Sequence, residues 1–343
     1  MLLSTVLQYG DDPVRNAETV VEWERAGLDV VWIPEAYSYD AVSLMGYLAA
    51  KTDRVEIGSG ILPIYTRTPT LTAMTAAGLD ALSNGRAILG LGASGPQVIE
   101  GFHGVAYDKP IGRTREIIQI CRKVWRRERL EHDGLYTIPL PPDQGTGLGK
   151  PLKLINHPQR TDIPIWVASL GDKNVEMTAE LANGWLPHIL MPEKQQEVFG
   201  AALGRGLAKR AADLGPLQIT GGGILATDED MFEPARQLAR AMFALYIGGM
   251  GARGRNFYNT VFARQGYAEE AAHIQDLYLD GKKDAAAAAL PADFIDRVTL
   301  IGPEGHVKER IAALREAGVT HLHVNPIATD QAKLMGRAKE WIS

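Results

Sequence analysis

The chain has 343 residues, 45% of them apolar and 22% charged, an ordinary globular composition that excludes a disordered or fibrous protein. Its formal charge is −5 and it has no long basic run; Arg122, Lys123, Arg126, Arg127 and Arg129 are spaced like the wet face of a helix, so no nucleic-acid partner is expected. The one cysteine, Cys121, lies in an apolar helical pattern and reads as core packing, which excludes an intrachain disulfide and a cysteine zinc cluster. The first nine residues show no basic-then-apolar leader, and no run approaches about 18 apolar residues, so a cytoplasmic protein without membrane contact is expected.

Short apolar runs then alternate with helical patterns. Residues 2–7 read as a strand and 12–27 as a helix ending at Gly27. A strand at 30–33 is apolar on both faces, as in a parallel sheet, and is followed by a helix at 42–50. A strand at 54–61 ends in Gly58-Ser59-Gly60. The helix at 69–82 has proline at its start and Asn84-Gly85 at its stop, and 87–91 is the fourth strand. Helix 111–127, strand 163–168, helix 173–182, strand 184–189 and helix 192–213 follow. Strand 217–226 and helix 231–247 form a seventh pair. Helix 307–317 precedes an eighth strand at 320–325, and helix 330–341 closes the chain.

Alternation of this kind implies parallel strands joined by helices. Eight units fit a closed (β/α)8 TIM barrel of one domain, residues 1–343, better than an open doubly wound sheet. Insertion segments at about 130–162 and 248–297 are assigned to strand carboxyl-end loops, as lids or oligomer surfaces. In such a barrel the chemistry sits on the loops after the strands. That rule selects Glu35 and Tyr37 after the second strand, Ser59, Gly60 and Ile61 after the third, and Gly92, Ala93 and Ser94 after the fourth. It adds Ser169, Leu170 and Gly171 after the fifth, His188 after the sixth, and His321, His323 and Asn325 on the eighth.

Gly90-x-Gly92-x-x-Gly95 has dinucleotide-fingerprint spacing, but Pro96 and Phe102-His103-Gly104 argue against the long helix that fingerprint requires. The run Ser169–Lys173 opens a helix, where free N–H groups favour an anion and where a plain helix cap would look the same. His321 and His323 share one face of a strand. They read as core or ligand-contacting histidines, because no clear further metal ligands appear beyond Glu35 and His188, and no metal is expected.

The stretches IGSGILP at 57–63, PTLTAMTAAGLDAL at 69–82, SNGRAILGLGASG at 83–95 and PQVIEGFHG at 96–104 resemble the bacterial luciferase-like monooxygenase superfamily. TGLGKPLK at 146–153, IPIWVASLGDKN at 163–174 and AELANGWLP at 179–187 extend the resemblance. It is closer to the oxidoreductases that use coenzyme F420, a 5-deazaflavin. The resemblance implies a cis peptide at Gly60–Ile61 behind the cofactor ring. It also implies a phosphate site made by Ser169, Leu170 and Gly171 with Gly92, Ala93 and Ser94, and a homodimer, for which the sequence itself offers only the helix around 242–247. Hydride transfer to or from a small organic substrate, an alcohol, a carbonyl or an activated double bond, is the expected activity. Glu35, Tyr37, His188 and His323 are the proton-group candidates, Glu35 and His323 the first to test. The alternatives are a flavin mononucleotide (FMN)-dependent monooxygenase, a non-catalytic deazaflavin-binding protein and a metal-dependent barrel hydrolase.

Overall fold

The computed structural model describes all 343 residues. Its strands are β1 (Leu2–Val6), β2 (Val30–Ile33), β3 (Glu56–Ser59), β4 (Leu62–Pro63), β5 (Ala87–Gly92), β6 (Ile165–Ala168), β7 (Gly184–Leu186), β8 (Gln218–Ala226), β9 (Leu300–Ile301) and β10 (His321–Pro326). All pair in parallel, in the order β10-β1-β2-β3-β5-β6-β7-β8, and β8 pairs back onto β10 to close the ring. The result is an eight-stranded parallel barrel surrounded by helices. No helix is long and apolar enough to cross a membrane.

Alternation along the strands splits their side chains between two environments. Leu3, Val31, Ile57, Leu89, Val167, Trp185 and Leu322 face outward into a large core shared with the surrounding helices. Val30, Trp32, Ile88 and Trp166 face inward and fill the barrel. The two indoles meet edge to face with centroids 5.2 Å apart. They fit because a Cβ at Gly58 would lie 2.5 Å from the Trp32 ring, and one at Gly184 would lie 2.0 Å from the Trp166 ring.

Helix assignments differ from the sequence reading in one instructive place. Helices Pro13–Arg25, Ala41–Lys51, Pro69–Leu82, Pro110–Trp125, Asp172–Leu181, Gln195–Leu207, Glu304–Glu316 and Gln331–Ile342 all contribute to the main core. They are the seven barrel crossovers and the closing helix after β10. The helix expected at 231–247, found at Glu229–Ala244, does not belong to this set. Its Ala235, Ala239 and Phe243 join a separate apolar cluster with Ile224, Ala226 and Ile301 at the carboxyl end of β8, and with Phe262, Ile274 and Phe294 from the helices that follow. The seventh crossover is therefore Glu304–Glu316. The carboxyl-end insert begins right after β8 rather than at residue 248, and hydrophobic periodicity cannot tell which of two cores a helix faces.

The other insert, about 130–162, is misplaced in the sequence reading. It connects a helix to the next strand, so it leaves and rejoins the barrel at the amino-terminal ends of the strands. Arg160 ties it there, donating to the wholly buried carboxylate of Asp80 and to Ala87 O at 2.7 Å. Its bend climbs the outside of helix Pro110–Trp125, where Glu116 accepts from Leu135 N and Tyr136 N, both at 2.9 Å.

Smaller boundary corrections have local causes. The strand expected at 54–61 is β3 and β4 separated by a bulge, and Gly60–Ile61 is a cis peptide. The strand expected at 184–189 stops at Leu186, and Ile189 is in the left-handed region at φ 62°. The helix expected at 192–213 breaks into a 3₁₀ turn, the helix Gln195–Leu207 and a second 3₁₀ turn.

The interior glycines set a testable contrast. Gly184→Ala drives a methyl into the Trp166 ring and is expected to cost about 1–3 kcal/mol. Gly204→Ala, on an exposed helix face with open space around it, is expected to add about 0.5–1 kcal/mol. Urea unfolding of the two variants measures both signs.

Candidate active site at the carboxyl ends of the strands

The bulge after β3 is built by a serine. Where β3 leaves β5, the Ser59 hydroxyl donates to Gly90 O at 2.8 Å and accepts from Gly90 N at 2.9 Å, replacing missing ladder bonds. Ser59 is fully buried, so its hydroxyl is spent inside the sheet rather than turned to a ligand. Gly60 N bonds Ile33 O at 2.8 Å, and the Ile61 side chain lies against Gly92, where a Cβ would sit 2.7 Å from it. Gly60, Ile61 and Gly92 thus form one packed ledge at the barrel mouth. Ser94, next to it, is in the left-handed region at φ 56°.

Glu35 and Tyr37 part company. The Glu35 side chain is only 8% exposed and is gripped bidentately by Arg67, with Arg67 Nη2 to Glu35 Oε2 at 2.9 Å. Ala41 N also donates to Glu35 at 2.8 Å, so this carboxylate anchors the start of helix Ala41–Lys51. Tyr37 is 67% exposed and tilts towards Phe102.

The fifth-strand loop is half internal. Ser169 is buried and shares a hydrogen bond of 2.9 Å with Thr178, while Ser169 O accepts from Trp185 Nε1 at 2.9 Å. The helix that follows, Asp172–Leu181, has no side-chain cap at its start. Any anion contact from this loop therefore falls to backbone N–H groups of Gly171 and its neighbours. Phe257 packs beside Gly171, and Arg264 bridges to Asp172 at 2.8 Å.

Three histidines belong to β10 and to the loop after β7. His321 lies at the bottom of β10, edge-on to Trp166 at 4.8 Å and bonded to Thr320 Oγ1 at 2.9 Å through Nδ1. His323, two residues further along the same face, is paired in register with Gly222. His188, on the loop after β7, packs tilted against Tyr246 at 4.1 Å, with Tyr258 at 5.4 Å and Phe243 at 6.4 Å. Its Nε2 is buried and has no protein partner. Burial pushes all three imidazoles down to about 4, with the charge of His323 adding to the effect on His188, so all are neutral at pH 7. No three His, Cys, Asp or Glu side chains converge as a metal site.

Tyrosines complete the mouth, and the sequence reading missed them. Tyr9 is still 56% exposed, but partial desolvation pushes it up to about 12, helped by the neighbouring Tyr246, Tyr37 and Glu35. Tyr246 and Tyr258 are raised by the same desolvation. Tyr9 follows the first strand and was findable by the strand-end rule. Tyr246 and Tyr258 come from the insert, and no local pattern marks them.

Comparisons with known proteins agree with this architecture. The luciferase-like monooxygenase family matches residues 2–321. A Mycobacterium tuberculosis protein that carries the provisional name coenzyme F420-dependent oxidoreductase is 39% identical over 95% of this chain and 94% of its own. The 5,10-methylenetetrahydromethanopterin reductase of Archaeoglobus fulgidus is 29% identical over 90% of this chain and 89% of its own. Among solved structures, the coenzyme F420-dependent tetrahydromethanopterin reductase of Methanopyrus kandleri superposes with a TM-score of 0.80 at 23% identity, covering 99% of this chain and 97% of its own.

The buried imidazoles make stability depend on pH. Each has its folded value below the ordinary value near 6.5, so the unfolded chain binds the proton more tightly. Their contribution is complete above about pH 6.5 and is lost as pH falls towards 4, each adding up to about 1.4 kcal/mol per pH step. Urea titrations at several pH values should show this slope, and His321→Gln should reduce it by one imidazole's share.

Proposed function

The chain belongs to the luciferase-like monooxygenase family, and on that footing we propose that it is a coenzyme F420-dependent oxidoreductase moving a hydride between deazaflavin carbon 5 and a small alcohol, carbonyl or activated double bond. The near-full-length likeness to the mycobacterial oxidoreductase carries the assignment. The fit of the residues supports it. A ledge of Gly60, Ile61 and Gly92 could back a flat ring, and the uncapped start of helix Asp172–Leu181, with Gly171 and the Gly92–Ser94 turn, could hold a phosphate. When bound, the deazaflavin supplies two electrons as hydride.

The chain's own task is then to place a substrate oxygen and handle one proton. Carbonyl reduction adds a hydride to carbon and a proton to oxygen; alcohol oxidation reverses both. Glu35 has its oxygens committed to Arg67 and Ala41 N, which leaves the imidazoles as the better candidates. His188 offers an unpartnered Nε2, and His323 is near enough for its charge to be felt there. A neutral imidazole donates a hydrogen bond to a carbonyl oxygen, or accepts the proton of an alcohol, without bringing charge into an aromatic pocket. Tyr246, Tyr258 and Phe243 exclude water from that side.

Anaerobic assays with reduced coenzyme F420 and a series of ketones, aldehydes and activated alkenes are expected to show loss of reduced cofactor without oxygen dependence. His188→Ala should lower turnover by about 10²–10⁴ while leaving cofactor affinity nearly unchanged. Oxygen uptake with reduced FMN and none with the deazaflavin would instead establish a monooxygenase, the reading suggested by the family's name.

A homodimer also fits, though through a different surface from the helix around 242–247, whose Phe243 and Ile247 are buried. Helix Pro69–Leu82 exposes Leu71, Met74, Gly78 and Leu82, and its one charge, Asp80, faces inward. The adjacent helix Ala41–Lys51 presents Gly46, Tyr47 and Ala50. An exposed helix face this apolar calls for a partner, and glycines at Gly46 and Gly78 permit close approach. Light scattering at micromolar concentration is expected to give twice the chain mass, and Gly78→Glu to halve it.

A further inference from the structure

The segment after helix Glu229–Ala244 is a π-helical turn, Leu245–Gly249, a rare geometry that widens the helix by one residue and frees carbonyls from their usual partners. Here it aims Tyr246 at His188. Glycine is required for its fit, because a Cβ at Gly248 or Gly249 would lie 2.4 or 2.5 Å from the Tyr278 side chain. The freed carbonyls are taken by side-chain amides: Asn259 Nδ2 donates to Ile247 O at 3.1 Å, and Asn256 is the one that reaches both. Asn256 Nδ2 donates to Tyr246 O at 2.9 Å and to Ile247 O at 3.0 Å.

The other end of the same amide is equally occupied. Asn256 Oδ1 accepts from Tyr258 N at 2.9 Å and from Asn259 N at 3.2 Å, capping the helix Phe257–Arg264. Asn256 is 3% exposed, and both ends of its amide are paired. It therefore joins the backbone of Tyr246 to the backbone of Tyr258. Those two residues flank His188, and their rings are 4.9 Å apart.

We propose that Asn256 is a positioning residue for His188, its amide fixing the spacing of the Tyr246 and Tyr258 rings that cover the imidazole. The proposal deepens the assignment of His188 as a proton-handling group and rests on it for its catalytic meaning. The titratable groups facing His188 are His323 on β10, Tyr246 on the π-helical turn and Tyr258 on the next helix. Without the clasp the turn relaxes towards ordinary helix, Tyr246 withdraws, and water reaches Nε2.

The test separates clasp from cap. Asn256→Asp keeps both acceptor bonds but sets a carboxylate oxygen against two carbonyls. Asn256→Ser keeps a capping oxygen, adds no charge, and lacks the amide. Imidazole titration by NMR on the full chain, assigned with single histidine variants, reads the result. In the unmodified protein His188 should titrate near 4; in both variants it should move to between about 5 and 6.5, while His321 stays near 4. Turnover with reduced coenzyme F420 should fall at least about tenfold at unchanged cofactor affinity.

An unmoved His188 in either folded variant overturns the proposal. So does a shift in Asn256→Asp alone, which would be a charge effect, or a shift of His321 in step, which would be general loosening. The titration needs no cofactor. Failure of the unmodified protein to oxidise reduced coenzyme F420 would therefore sink the functional reading and leave the clasp standing on its own result.

Discussion

A closed ring of eight strands has room inside for only a few side chains, and here two indoles take that room. Trp32 and Trp166 can enter because Gly58 and Gly184 stand opposite them without a Cβ. With His321 set edge-on against Trp166, the lower barrel is solid. Everything that could touch a ligand is thereby displaced to the carboxyl ends of the strands. The position of the site follows from packing before any chemistry is considered.

Above that plug, the chain solves two problems of unpaired backbone. β3 bulges away from β5 to make the ledge at Gly60–Ile61, and the Ser59 hydroxyl closes the gap in the ladder. The insert after β8 opens a π-helical turn over the mouth, and Asn256, joined by Asn259 at Ile247 O, takes up its carbonyls. In each case a buried polar side chain replaces a backbone partner, which lets an irregular segment persist where water cannot satisfy it. The two irregular segments form opposite sides of the candidate site.

The insert carries a hydrophobic core of its own, built around Phe243, Phe262 and Phe294, apart from the main core that holds the barrel crossovers. A segment with an independent core can change without loosening the barrel. It also encloses His188, and that enclosure keeps the imidazole neutral at some cost in stability under acid.

Much of this was legible from the order of residues alone. Eight alternations of apolar run and helical pattern specify a parallel barrel, because parallel strands need helical crossovers and period is a local property. The glycines at the strand ends and His188 and His323 were visible by the same logic, since a barrel places its site after its strands. Which core a helix joins was not legible: Glu229–Ala244 and Glu304–Glu316 are both amphipathic, and only tertiary packing assigns the first to the insert and the second to the barrel. Nor was the partner of Glu35, 32 positions away at Arg67, which pairs with both carboxylate oxygens. Tyr246, Tyr258 and Asn256 reach the mouth only because the insert folds back over it, and contacts between distant segments leave no local trace in a sequence.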